Sequence, residues 1–350
     1  MRGSFVPGRL EEMTVSMATV RSIGLLGEYK GQQHLFERQS PQILSALRDA
    51  ARVQSIESSN RIEGVTAAQG RVAQLAAERS LPADRSEQEI AGYRDVLATV
   101  HANALGMEVS AATVLQLHRD LFQFTATPGG AWKRTDNDIV DVLADGTHRV
   151  RFSPVDPGSV EEAITDLAFG YRRTSLEGRV HPLVSVPAFI LDFLCIHPFT
   201  DGNGRLSRIL NLMLLYQCGF EVGRYISLER IIEDSKATYY ESLEASSAGW
   251  HEGSHDLVPW LEYSHGVLIA AYVEFERSVG RLGAGRGAKR DMVIECIHHM
   301  PRMFRYADVE RACPGVSRPT IVRVLGMLRD QGEIRCIKGG RDAMWERTNR

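Results

Sequence analysis

Hydrophobic positions recur at three- and four-residue intervals through most of residues 1–280. The clearest stretch is 41–63, which carries apolar side chains at helical spacing, namely Ile43, Leu44, Leu47, Ala51 and Val53. This spacing places them on one face of a helix. Gly64 follows directly, and glycine suits the left-handed position that ends many helices. We therefore predict an amphipathic helix over 41–63.

The same periodicity predicts a mainly α-helical fold for this part of the chain. Strand patterns are sparse in it. The further helices are expected at 87–101, 110–122, 159–175, 187–196, 206–218, from about residue 228, and at 255–279.

One short segment has the pattern of a β-hairpin. Extended runs at 139–143 and 148–152 flank Asp145-Gly146. Asp-Gly between two such runs is the strongest short-range hairpin signal. We expect a small β-flap on a helical domain.

The C-terminal residues have a different organisation. Residues 280–287 are rich in glycine and lack an apolar period, which is typical of a linker. Helical patterns follow at 291–299, at 306–312, and from a Ser317 N-cap to Gln331. Two short runs at 334–337 and 343–347 come last. Three helices followed by a hairpin is the winged-helix arrangement.

These patterns divide the chain into four parts. They are an N-terminal helical region at 1–100 that contains the helix at about 41–64, a helical core at 101–279 with the flap at about 134–152, the linker at 280–287, and a winged-helix domain at 288–350.

Composition indicates a soluble globular protein. Hydrophobic residues make up 43% of the 350 positions and charged residues 24%, which is a globular balance. No run approaches the roughly 18 apolar residues of a membrane helix, and no signal peptide is visible. We therefore expect a cytoplasmic protein without membrane contact.

Cysteine and histidine spacing gives no metal site. The five cysteines include no C-x-x-C pair, which suggests reduced thiols and argues against structural zinc. His251 and His255 are four positions apart, but Gly253 separates them and no third ligand is evident. Exposed or core histidines are the better interpretation.

Charge is distributed unevenly along the chain. The net charge is −3. Residues 281–350 contain 15 Lys and Arg against 8 Asp and Glu, a local charge of +7, so the remainder carries −10. The C-terminal part therefore differs electrostatically from the body.

The segment 196–208 concentrates the chemistry of the chain. It reads Ile-His-Pro-Phe-Thr-Asp-Gly-Asn-Gly-Arg-Leu-Ser-Arg, a helix end, a tight loop and a new helix start. Its glycines let backbone N–H groups approach an anion, and the following helix directs its positive end to the same place. Arg205 and Arg208 lie on one helical face and can reach phosphate oxygens. Asp201 is a hard oxygen ligand suited to Mg²⁺, and His197 is the group that titrates near neutrality.

A plain helix–loop–helix connection with an Asp N-cap and turn glycines is the alternative interpretation. A glycine-rich loop alone would favour it. We reject it because an anion site, a metal ligand and a base all fall within one short segment.

Residues 197–208 resemble the full signature of the Fic family, H-x-F-x-D-G-N-G-R-x-x-R, at every defining position. Residues 128–135 are similar to the family's segment before the flap, and 225–243 to its following helix. The resemblance covers about 42–268. It implies a Fic helical bundle and a protein adenylyltransferase, which moves AMP from ATP to a Ser, Thr or Tyr hydroxyl of a target protein and releases pyrophosphate.

The resemblance also implies a role for each position of the signature. His197 would deprotonate the target hydroxyl, and Asp201 would hold Mg²⁺ that bridges the α- and β-phosphates of ATP. Phe199 would bury its ring beneath the loop and set the height of His197. The implied phosphate-binding residues are Gly202, Asn203 and Gly204 for the inner phosphates and Arg205 and Arg208 for the outer ones.

Further contacts follow from the same resemblance. Tyr239 lies where the family contacts the nucleoside, and a plain core residue is the alternative of equal weight. We include Ile139 and Val140 of the flap in the nucleotide-binding set. The flap edge would add an extended target segment by backbone hydrogen bonds. A hairpin that only packs on helices is the alternative.

Ser59 to Gly64 resembles the inhibitory motif of the family, S-x-x-x-E-G, placed before the active site. The resemblance implies that Glu63 pairs with Arg208, removes a γ-phosphate ligand and restrains the enzyme, with Ser59 on the same helical face. The same glutamate could instead position water for the removal of AMP.

Alternatives remain open for function and partners. Arg318 and Arg323 would lie on the recognition helix of the winged-helix domain, and Lys338 and Arg341 on its wing, which suits DNA phosphates. A protein-docking or dimerisation module is equally compatible, so DNA, a protein or a second copy are candidate partners. Alternative functions are a de-AMPylase that uses the same site and a non-enzymatic, nucleotide-sensing DNA-binding regulator.

Overall fold

The computed structural model describes residues 3–39, 41–68, 70–77, 80–142, 147–283, 288–313, 316–340 and 343–348. The α-helices of these ranges are α1 (Met17–Gln39), α2 (Pro41–Ile62), α3 (Arg71–Ala76), α4 (Arg85–Asn103), α5 (Ala111–Leu121), α6 (Val160–Glu177), α7 (Pro182–Ile196), α8 (Asn203–Gln217), α9 (Leu228–Asp234), α10 (Lys236–Ser247), α11 (Val258–Gly283), α12 (Ala288–His299), α13 (Tyr306–Ala312) and α14 (Arg318–Asp330). The strands are β1 (Ile139–Val142), β2 (His148–Phe152), β3 (Met303–Arg305), β4 (Ile334–Lys338) and β5 (Met344–Arg347). The predicted mainly helical fold is confirmed.

The chain divides into two compact units. The first comprises Met1–Leu26, Ala91–Phe220 and Ile232–Val267, and the second comprises Gly27–Ile90, Glu221–Ile231 and Leu268–Arg350. The four-part division expected from the sequence stays a prediction.

Helix α7 forms the centre of the first unit. It packs against both α6 and α8, and its side chains are almost all buried, including Phe189 and Phe193. A helix that is apolar on every side belongs in a protein interior. His197, the residue that follows this helix, is therefore attached to a well-packed element.

The start of α7 differs from the prediction. We expected the helix to begin at Pro187, because proline lacks an N–H and suits a first turn, yet α7 begins at Pro182 and contains Pro187 in its interior. Proline there leaves the carbonyl of Leu183 without its usual helical donor. The Nε2–H of His265 donates to that oxygen at 2.9 Å. This contact from α11 replaces the missing backbone hydrogen bond.

Other helix boundaries also differ. The helix expected from residue 228 is two helices, α9 and α10, separated at Ser235. Helix α8 begins at Asn203 rather than 206 because Gly202 adopts the left-handed conformation at its N-cap. Helix α1 was not predicted, since it contains Gly24, Gly27 and Gly31 and lacks an apolar stripe.

The flap is an antiparallel pair of strands. β1 pairs with β2, and Val140 lies opposite Val150 with an irregularity next to Ile139. The predicted turn residues Leu143, Asp145 and Gly146 lie outside the described residues. β2 also contacts α10, so the two-stranded flap is anchored through its second strand.

The second unit combines α2 with the C-terminal elements. Helix α2 packs on α3, α12 and α13, and α12 packs on α14. A three-stranded sheet has the order β3-β5-β4, in which β3 was not predicted. Arg318, Arg323 and Lys338 lie on α14 and β4 as expected, whereas Arg341 is outside the described residues. Assignment to the winged-helix class, and DNA or protein binding by it, stay predictions.

None of the helices in the described ranges combines the length and the hydropathy needed to cross a membrane.

Candidate active site

The loop between α7 and α8 brings the residues of the signature together in the first unit. His197 follows the last residue of α7, and Asn203 opens α8. The carboxyl end of one helix and the amino end of the next therefore meet across six residues, 197–202. A helix amino end attracts anions and a helix carboxyl end attracts cations.

His197 lies at the carboxyl end of α7 with φ 49° and ψ 62°. It is the one non-glycine residue with a positive φ in the described part of the chain, and such a conformation persists only where its surroundings hold it. The imidazole Nδ1 lies 3.2 Å from the Leu194 carbonyl oxygen. Because a carbonyl only accepts, Nδ1 carries the hydrogen and Nε2 carries the lone pair. His197 is thus in the tautomer that a general base requires.

A segment before the flap holds the backbone around His197. The Lys133 N–H donates to the Pro198 carbonyl at 2.9 Å. The Asn137 amide donates to the Phe199 carbonyl at 2.8 Å and reaches the His197 carbonyl at 3.4 Å. Lys133 Nζ in turn donates to Asn137 Oδ1 at 2.6 Å, and burial lowers the pKa of Lys133. These contacts fix the conformation of the loop start.

The Phe199 ring forms the floor of the loop. It is fully buried and lies parallel to the His118 imidazole, with ring centroids 3.6 Å apart. Trp132 stacks at 5.3 Å. The backbone of Phe199 is held by the Asn203 side chain. The Asn203 Oδ1 accepts from the Phe199 N–H at 3.0 Å, and the Asn203 side-chain amide donates to the Phe199 carbonyl oxygen at 2.7 Å.

His118 of α5 joins the floor to the middle of the loop. Its Nε2–H donates to the Asp201 carbonyl at 3.0 Å, and its Nδ1 accepts from the Gly130 N–H at 2.8 Å. Burial lowers its pKa to about 4. The imidazole is therefore neutral at pH 7, with one nitrogen donating and the other accepting.

Acid should weaken the fold through His118. Unfolding raises its pKa from about 4 towards 6.5, so the unfolded chain binds the proton more tightly and this stabilising contribution is lost as the pH falls from 6.5 to 4. The native protein should lose up to about 1.4 kcal/mol per pH unit from this group. His118→Gln lacks the titration, so its melting temperature should approach that of the native protein between pH 7 and pH 5. A difference between the two melting temperatures that stays constant from pH 7 to pH 5 would contradict a buried neutral imidazole.

Asp201 and Gly202 form the N-terminal lip of α8. The Asp201 side chain is 57% exposed, and its Oδ1 accepts from the Gly202 N–H at 2.6 Å. Gly202 has φ 82°, and a Cβ atom there would come within 2.8 Å of the Phe122 ring. Glycine is thus required both by the backbone conformation and by the space. The Asp201 carboxylate is presented to solvent beside the N–H groups of α8.

Two arginines lie behind the lip. Arg205 and Arg208 are both buried and share one face of α8. The Arg205 guanidinium lies 5.3 Å from the Phe122 ring centroid and 3.5 Å from Asp201 Oδ1. Both charges add to the positive end of the helix dipole, so this end of the loop suits an anion.

The donor set fits a magnesium ion shared with phosphates. Asp201 supplies one exposed hard oxygen ligand, and Mg²⁺ is commonly bound by one or two carboxylates together with substrate phosphates. The described residues contain no group of three or more His, Cys, Asp or Glu able to hold a metal by themselves.

The structure places the remaining predicted residues as follows. Tyr239 is buried in α10, edge-on to Trp260 and Tyr263 at 5.5 and 5.8 Å. This core packing accounts for Tyr239 without a ligand, and its nucleoside contact stays a prediction. In the flap, Ile139 is partly exposed and Val140 exposed; their nucleotide contacts also stay predictions.

The predicted inhibitory residues belong to the second unit, whereas Arg208 belongs to the first. Ser59 is buried in α2, and Glu63 is exposed just after this helix ends at Ile62. Gly64 has φ 78°, as the helix-ending role expects. The pairing of Glu63 with Arg208 stays a prediction.

Sequence reasoning missed His118, Lys133 and Asn137. They come from α5 and from the segment before the flap, about 60 to 80 positions before the loop that they contact. His118 lies in an amphipathic helix and gives no spacing signal. The Lys133 Nζ donates to Asn137 Oδ1 and lies 3.5 Å from the Ile196 carbonyl oxygen. Such contacts become visible only in three dimensions.

The fold agrees with that of a known class of proteins. A crystal structure of a Fic family protein from Desulfovibrio desulfuricans G20 matches with a TM-score of 0.63 and 21% identity, covering 97% of this chain and 98% of the other. At this identity, the likeness shows a Fic-type fold.

The Fic/DOC family model matches residues 108–215, from the turn before α5 to α8. This segment contains the complete loop, so the match identifies a Fic/DOC domain in this part of the chain. The chain is similar to protein adenylyltransferase fic-1 of Caenorhabditis briggsae, at 26% identity over 207 residues, 58% of this chain and 36% of that protein. It is 27% identical over 183 residues to the protein of the same name from Caenorhabditis elegans, 51% of this chain and 32% of that protein. The chain thus spans about a third of the length of these relatives.

Proposed function

We propose that this chain is a Fic-type protein adenylyltransferase that transfers AMP from ATP to a hydroxyl side chain of a target protein. The observation that carries the proposal is the geometry of the loop: a histidine whose Nδ1 lies 3.2 Å from the Leu194 carbonyl oxygen, so that Nε2 carries the lone pair, stands beside a helix amino end that is flanked by two buried arginines. Similarity to proteins named adenylyltransferase supports the same reaction.

His197 would act as the general base. Its Nε2 takes the proton of the target hydroxyl while that oxygen attacks the α-phosphorus of ATP. The bond from this phosphorus to the bridging α–β oxygen breaks, and pyrophosphate leaves. The carboxyl end of α7 then stabilises the imidazolium that has formed, because the helix dipole is negative there.

The amino end of α8 would hold the nucleotide. The backbone N–H groups at Asn203 and Gly204 would face the phosphates, whereas the Gly202 N–H donates to Asp201 Oδ1. Arg205 and Arg208 would neutralise charge that develops on the leaving pyrophosphate. Both polar atoms of the Asn203 side chain are engaged by Phe199, so its backbone makes its contribution. Asp201 would position Mg²⁺, which when bound neutralises charge on the phosphates.

The flap would receive the target segment. In the described part of the chain, β1 pairs with β2 alone, and its other edge can accept an extended strand by backbone hydrogen bonds. Val140 and Val150 are 44% and 53% exposed on opposite strands and offer an apolar contact. Backbone pairing tolerates many sequences, so the flap supports a protein target without specifying its identity.

Glu63 would restrain this activity by pairing with Arg208. Purified chain incubated with Mg²⁺ and α-³²P-labelled ATP should incorporate little label into protein. Glu63→Ala should raise the labelling about tenfold, the effect of a coupling free energy between 1 and 3 kcal/mol. Autoradiography of the separated protein gives the measurement.

Glu57→Ala is the matched control. Glu57 is a half-buried glutamate of α2 that pairs with Arg61, and its replacement should leave labelling unchanged. Equal labelling of all three proteins would exclude the restraint. Absence of labelling in each of them, on self and on lysate proteins, would count against the transferase itself. Faster loss of label from a modified target with Glu63 present would indicate AMP removal.

A further inference from the structure

The second unit contains a cavity that the proposed active site does not use. It has a volume of about 400 Å³ and lies between α2, α3 and the segment from α12 to α13. Pockets for small organic ligands fall between about 300 and 1,000 Å³. The cavity is therefore large enough for a compact metabolite.

Apolar side chains form most of its wall. They come from separate elements and include Val53, Ala73, Met300, Met303, Phe304 and Met344. Methionine side chains are flexible and polarisable, so they adapt to ligands of different shape. Such a wall suits an aromatic or aliphatic body.

Arg52 of α2 gives the cavity a specific polar group. It lines the cavity, and its Nε is buried without an acceptor among the described residues. Burying a charged donor without a partner is unfavourable. Because Arg52 lines the cavity, an anionic group there would offset the charge of its guanidinium and would pair with the terminal nitrogens, which favour bidentate contacts.

The other charges around the cavity do not supply this acceptor. Asp308 accepts from the Arg305 N–H at 3.0 Å and lies 3.9 Å from Arg311. Asp49 is exposed to solvent. With Arg52, Arg305 and Arg311 against two carboxylates, the lining carries a charge of +1, which favours an anion.

We propose that this cavity binds a small organic anion, with an apolar body on the methionine-rich wall and one carboxylate on Arg52. The site lies wholly within the second unit. It is independent of the proposed adenylyltransferase activity, since its test measures binding alone.

The test uses the full chain and two related probes. 8-Anilinonaphthalene-1-sulfonate should fluoresce on binding to the cavity, and 4-phenylbutyrate should displace it. The neutral analogue 4-phenylbutanamide has nearly the same shape, so it measures the apolar contribution. The acid should displace the dye at a concentration about tenfold lower than the amide, as expected for a charge-assisted hydrogen bond.

Two variants separate charge from volume. Arg52→Gln should weaken binding of the acid about tenfold and leave binding of the amide unchanged. Ala73→Phe fills the cavity and should abolish binding of the dye. Arg329→Gln removes the same charge from an exposed arginine that pairs with Asp330 and should behave like the native protein. Equal affinity of acid and amide for the native protein would overturn the proposal, as would unchanged dye binding in Ala73→Phe.

Discussion

Replacing His197 with alanine is expected to lower the rate of AMP transfer by about 10³-fold, the usual contribution of a positioned general base. The substitution removes the one group of the loop that can accept the hydroxyl proton near neutral pH. Binding of ATP should change little, because the backbone and the arginines of α8 remain. Single-turnover labelling in the Glu63→Ala background measures the chemical step, and equilibrium dialysis with labelled ATP measures binding.

His298→Ala is the control for the loss of an imidazole. His298 is exposed and pairs with Glu333 in the second unit, so its replacement should leave the rate unchanged. A rate for His197→Ala within a few-fold of the parent would remove the proton-transfer role from the proposed mechanism.

Replacing Phe199 with alanine is expected to destabilise the first unit by about 3–5 kcal/mol, as for other buried aromatic side chains. The change removes a fully buried ring and leaves a space beside His118 and Trp132, which stack on it. The loop would also lose its floor, so transfer activity should fall with stability. Urea denaturation followed by circular dichroism measures the first effect.

Phe169→Ala provides the comparison. Phe169 lies on α6 and is 52% exposed, so its replacement should shift the transition by well under 1 kcal/mol, like most surface substitutions. Similar transitions for the two variants would show that the Phe199 ring contributes little to the packing.

The helical fold could be predicted because most helices carry an apolar stripe with clear end signals. Gly64 is one such signal, and the helix that precedes it is present. Helix α1 escaped prediction because its glycines and polar positions give no period. The early start of α7 escaped it because local rules treat Pro187 as a boundary, whereas His265 supplies a tertiary hydrogen bond.

The residues of the candidate site also fall into those that the sequence predicts and those that it does not. Residues 197–208 are contiguous in the chain, so their chemistry could be interpreted together before the fold was available. His118, Lys133 and Asn137 support that loop from distant positions, and no local pattern distinguishes them from ordinary surface or core residues. Sequence thus indicates the reacting groups, while the structure identifies what holds them in place.

The hydrogen bond between His265 and Leu183 joins two helices at the point where one lacks a backbone donor. From Pro187 the helix continues for nine residues to Ile196, immediately before His197. A bend at Pro187 would displace the carboxyl end of the helix, and the hydrogen bond from His265 opposes such a bend. The position of the His197 imidazole therefore depends in part on His265, a residue on another helix that takes no part in the chemistry.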